Sequence, residues 1–80
     1  MWEKLDNQFH QTYEERELGI MVEKTEEAWL ILRRKADGRY HYDKFAKDFE
    51  SILDFLKCYG CSDESIYVLT VTLTLQNLIP

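Results

Sequence analysis

The sequence predicts a small α+β domain in which an antiparallel sheet packs with two helices, in the order α-β-β-β-α-β. Three observations carry this: an Asp37-Gly38 pair between apolar runs, a helical stripe that ends near Gly60, and a long alternation from Tyr67 to Gln76. Asp-Gly suits a two-residue type I′ hairpin, because its backbone can take positive φ. Residues three and four apart share one helix face, and alternate residues share one strand face. Eighty residues allow one domain, read here as 1–80.

The first element, residues 2–17, reads as a helix. Trp2, Leu5, Phe9 and Tyr13 fall at three- and four-residue steps among polar residues, and Gly19 would stop it. Ile20-Met21-Val22 and Trp29-Leu30-Ile31-Leu32 read as strands, with a turn in Lys24-Thr25-Glu26-Glu27. Arg39-Tyr40-His41-Tyr42 is the return strand after Gly38. A helix over 25–37 competes with this reading, since Thr25 could cap it and Arg33, Arg34 and Lys35 would suit its last turn. The Asp-Gly turn and the aromatic alternation after it favour the hairpin.

Residues 43–58 read as the second helix. Asp43 would cap it, Phe45, Phe49, Ile52 and Leu56 would line one face, and Gly60 would close its end. Residues 66–76 read as the last strand. Tyr67, Leu69, Val71, Leu73 and Leu75 alternate with Val68, Thr70, Thr72, Thr74 and Gln76, and β-branched residues suit a sheet. That strand is taken as central. At an edge it would invite pairing with a second copy.

A two-residue loop at Asp37-Gly38 sets Lys35 opposite Tyr40 and Arg33 opposite Tyr42. Trp29, Ile31, Arg33, Tyr40 and Tyr42 would then share one face, while Leu30 and Leu32 meet the second helix. Either the first helix lies over that aromatic face as a second small core, or part of it stays open as a recognition surface. Trp, Tyr and Arg are the side chains enriched at binding hot spots.

The formal net charge of −5 disfavours general nucleic-acid binding, which depends on cations meeting phosphates, and fits a partner protein with a basic surface. The residues after Met1 lack a basic region followed by an apolar run, so no secretory signal is expected. No stretch approaches the ~18 apolar residues of a membrane span. Two cysteines are too few for a disulfide scaffold, and the expected setting is cytoplasmic.

Cys58-Tyr59-Gly60-Cys61 is the one motif with chemical associations. It sits at a helix C-terminus, where the dipole disfavours a thiolate, so redox catalysis is not expected. His10 and His41 stand at no usual zinc spacing from the cysteines. Asp43 beside His41 is better used as a helix cap than as an acid/base partner, and Glu14-Glu15-Arg16-Glu17 and 23–27 read as solvated acidic segments. No catalytic residue, metal ligand or cofactor is assigned.

The expected function is a non-catalytic protein-binding module: a small acidic inhibitor, adaptor or regulatory subunit. It would bind through the aromatic sheet face or the acidic surface. Two alternatives stand beside it. One is a homodimeric structural protein pairing through its C-terminal strand. The other is single-stranded nucleic-acid binding on a strip made by Arg33, Arg34 and Lys35 with Trp29, Tyr40 and Tyr42.

Overall fold

The structure, a computed structural model, describes residues 1–5 and 11–79. It is a small α+β domain with an antiparallel sheet and two helices, but the order differs from the expected one. Among the described residues five strands come first: β1 Trp2–Leu5, β2 Gln11–Glu15, β3 Ile20–Lys24, β4 Trp29–Arg34 and β5 Tyr40–Ala46. Helices α1 Phe49–Cys58 and α2 Asp63–Leu75 follow. The strands form an up-and-down meander in sequence order, every neighbouring pair antiparallel.

The helix expected over 2–17 is replaced, among the described residues, by the strands β1 and β2. Trp2 and Tyr13 sit on neighbouring strands and point to the same side, where both are buried. In short strands the three- and four-residue spacing read as a helical stripe loses its meaning, since it crosses from one strand to the next. Phe9 and His10 lie outside the described residues.

The strands around Asp37-Gly38 form as expected, but the loop is longer by one residue. The Gly38 amide donates to the Lys35 carbonyl, and the Lys35 amide donates to the Arg39 carbonyl, both at 2.9 Å. Ala36, Asp37 and Gly38 therefore make the connection, with Gly38 at φ +80°. This is a three-residue hairpin whose last position needs left-handed backbone. One added loop residue moves the register: Arg34 faces Tyr40, Arg33 faces His41 and Leu32 faces Tyr42. The expected pairs Lys35–Tyr40 and Arg33–Tyr42 do not form.

The predicted cap of the second helix also moves. β5 runs on through Phe45 to Ala46, and Asp43 lies within it. Asp48 caps α1 instead, its carboxylate accepting the Ser51 amide at 2.9 Å. That bond to an ionised carboxylate holds the Asp48 carboxyl below its ordinary pKa. The end of α1 is as expected: Gly60 is left-handed at φ +91°, and the Gly60 and Cys61 amides return to the Lys57 and Leu56 carbonyls at 3.1 Å.

The predicted last strand is α2. Ser62 caps it, accepting the Ser65 amide. The Thr70, Thr72 and Thr74 hydroxyls bond back to the Ile66, Val68 and Thr70 carbonyls at 2.8 Å, so the threonines are satisfied within the helix. Ile66, Leu69 and Leu73 are the buried positions, which is helical spacing.

Both helices pack on one side of the sheet. Trp2, Tyr13, Ile20, Val22, Trp29 and Ile31 face Ile52, Leu56, Leu69 and Leu73 in one core. The Trp29 ring lies 4.9 Å from that of Phe49. Burial of this set supplies the main drive to fold.

Candidate functional site

The residues singled out as an aromatic recognition face are divided between the two sides of the sheet. Trp29 and Ile31 are buried beneath the helices. Arg33 is on the same side, its guanidinium 4.1 Å from the centre of the Tyr59 ring at the end of α1. Tyr40 and Tyr42 are on the other side, because the register shift places them opposite Arg34 and Leu32. Sequence reasoning chose the correct strands and paired their faces wrongly. The basic strip does not assemble either: Arg33 and Arg34 are consecutive in β4 and point to opposite faces.

The helix-free side gathers a different set. Leu30 and Leu32 of β4 are half-buried there, not under α1 as expected. Opposite them stand Phe45 and Tyr42. These two aromatics are three residues apart, an odd spacing that ordinarily sends side chains to opposite faces. A β-bulge reconciles them: Leu32 pairs with Tyr42, Ile31 pairs with Lys44, and Asp43 is the extra residue. Asp43 accepts a hydrogen bond from the Tyr59 hydroxyl, which ties the bulge to the end of α1. Tyr42 is 71% exposed and Phe45 66%. With Leu30 they line a groove of 270 Å³.

The β2–β3 side of this face is acidic. Glu14 and Glu23 are both buried, which is uncommon for carboxylates. The Tyr40 hydroxyl donates to Glu14 Oε2 at 2.7 Å, and Arg16 Nε approaches Glu14 Oε1 at 3.9 Å. Burial first, and then the bond to Glu14, push the Tyr40 phenol up to about 12. The Arg34 guanidinium lies 6.0 Å from the Tyr40 ring centre, within cation–π range. One face thus carries an apolar aromatic half and a half in which buried Glu14 and Glu23 lie near Arg16 and Arg34.

The other groups read for chemistry are placed as follows. His41 pairs with Asp37 at 2.9 Å in the hairpin, not with Asp43. Asp37 also accepts the Arg39 amide, and these two bonds hold its carboxyl below the usual range. Cys58 is exposed and Cys61 is buried; burial, with Glu15 nearby, pushes the Cys61 thiol up. Among the described residues, no three His, Cys, Asp or Glu side chains come together as a metal site. Among them, too, no helix is long and apolar enough to cross a membrane. A larger cavity of 390 Å³ lies between β1 and the start of α2, beside Trp2, whose indole donates to the Ser65 carbonyl and hydroxyl at 3.0 Å.

The signal for the true aromatic pair was weak. Phe45 stands at helical spacing from Phe49, and nothing local in Tyr42-Asp43-Lys44 announces a bulge. No family model matches the chain, and no curated protein or solved structure matches it.

Proposed function

We propose that the protein is a non-catalytic protein-binding module whose helix-free sheet face receives a partner with a basic surface. One observation carries the reading: the Asp43 bulge brings Tyr42 and Phe45 to one face beside Leu30 and leaves both largely exposed. Holding two large aromatics in solvent on a rigid sheet gains nothing for folding, whereas rigid aromatic anchors are what interfaces use. The net charge of −5 supplies the complement to a cationic partner. A partner apolar side chain would enter the groove by Leu30.

The test is affinity capture from the native host with the wild-type chain and with Phe45→Glu. A partner retained by the wild type and lost by the variant supports the reading. Recovery of no partner, together with turnover of a small molecule, overturns it.

A further inference from the structure

The 390 Å³ cavity beside Trp2 is lined by the carboxylates of Glu15, Glu17 and Glu64 and, among the described residues, by no Lys, Arg or His. Glu15 is the deepest of the three, its side chain only 6% exposed. Glu17 and Glu64 are exposed at the rim. Other walls are apolar: Trp2, with Leu18 and Val68 left 41% and 42% exposed. We infer that this cavity binds an aliphatic diamine. One ammonium would sit on Glu15 and the other at the rim carboxylates, with the methylene chain against the apolar walls.

Glu15 already holds an ammonium. The Met1 amine donates to Glu15 Oε2 at 2.7 Å, and Oε1 accepts the Glu17 amide at 3.1 Å. The backbone thus fixes one oxygen of the carboxylate and leaves the other for a cation. The Met1 side chain is 92% exposed and β1 pairing begins at Trp2, so the ion pair is what holds Met1 there. An incoming ammonium takes its place without uncovering a core residue. It also keeps the buried carboxylate paired, which a buried charge requires.

The ligand class follows from how the charge is spread. Among the described residues no three His, Cys, Asp or Glu side chains converge as a metal site, Glu15, Glu17 and Glu64 included. A single point cation therefore cannot answer all three carboxylates, whereas two cations joined by a flexible apolar chain can. The Trp2 indole N–H is spent on Ser65, so its ring offers the cavity apolar surface and no free donor for an anion. The first turn of α2 also carries Asp63, so two carboxylates meet the positive end of that helix. α2 stands where a C-terminal strand was expected to pair two copies. As a helix it cannot do so, and its first turn supplies a wall of the cavity instead. Glu15 faces Trp2 on the helix side of the sheet, away from the face proposed for the protein partner, and the two proposals stand or fall separately.

An NMR titration of the full chain with 1,5-diaminopentane tests it. The Trp2 indole N–H resonance should shift and saturate, while that of Trp29, packed on Phe49 under α1, stays in place. Pentylamine, with one ammonium, should bind several-fold more weakly. Glu15→Gln should weaken diamine binding about tenfold or more, as expected for one hydrogen bond between charged groups. Glu64→Gln, at an exposed position that leaves the fold intact, should weaken it several-fold. Glu26→Gln, in the β3–β4 turn at the other end of the sheet, should bind as the wild type does. No saturable Trp2 shift at tens of millimolar diamine would overturn the inference. So would equal binding of the two amines, or undiminished binding in Glu64→Gln. An equal loss in Glu26→Gln would overturn it as well, by marking a general attraction to an acidic chain.

Discussion

Leu32 faces Tyr42 across the β4–β5 ladder, and this pairing decides which side of the sheet each aromatic occupies. Side chains alternate, so a one-residue slip would send Tyr42 toward the helices. The observed register keeps Ile31 in the core and Tyr42 in solvent. Ile31→Ala should therefore cost about 2–5 kcal/mol, enough to unfold much of the population of a domain this small. Tyr42→Ala should change stability by no more than ~0.5 kcal/mol. Urea titration of both variants checks the contrast. Equal losses would mean that the two residues share a face.

The identity of α2 can be read from the sign of one substitution. Thr74 is exposed and bonds back to its own helix. Alanine has the higher helix propensity, so Thr74→Ala should stabilise the protein by ~0.5 kcal/mol. In a strand the same change would destabilise, because threonine favours sheets. Thermal unfolding distinguishes the two.

Much of the sheet was legible, and the reasons it was not wholly so are local. Ile20–Val22 and Trp29–Leu32 announce themselves as apolar runs, and Gly38 and Gly60 mark a hairpin and a helix end by their positive φ. The loop length was not legible, because an Asp-Gly pair serves both a two-residue turn and the last two positions of a three-residue one. That ambiguity alone was enough to misplace Tyr40 and Tyr42. In α2 the period-two alternation of threonine hid the helical spacing of Ile66, Leu69 and Leu73, and side-chain bonds to carbonyls four residues back make those threonines tolerable in a helix. The Asp43 bulge is tied by a hydrogen bond to Tyr59, 16 residues away, and no local pattern encodes it.

Tyr40 should titrate late. An ordinary tyrosine loses its proton near 10, whereas burial and Glu14 raise this one to about 12. The fold favours the neutral phenol. Its contribution to stability is thus complete below the unfolded pKa and is lost as the pH rises through the folded value. Ultraviolet difference spectra of wild type and Tyr40→Phe should differ by one late step. Glu14→Gln should bring that step down while leaving it above 10, because burial is the larger cause and remains. An unchanged Tyr40 step in Glu14→Gln would show that the bond contributes nothing.

Tyr59 should matter to a face it does not touch. Its hydroxyl holds Asp43 on the helix side and so fixes the bulge that sets Tyr42 beside Phe45. Tyr59→Phe should lower stability by about 1 kcal/mol, since both groups are part-exposed. Amide exchange at residues 42–45 should rise more than at 20–24. A uniform rise across the sheet would assign Tyr59 a general packing role only.

Site-directed photo-cross-linking in the native host asks most directly whether the helix-free face is where a partner docks. Benzoylphenylalanine replaces Phe45 in one chain and Lys57, exposed on α1, in another. The expected result is a single discrete adduct to another protein from position 45, none from position 57, and loss of the first when Tyr42 is also changed to Ala. An adduct from position 57 with none from position 45 would contradict the account.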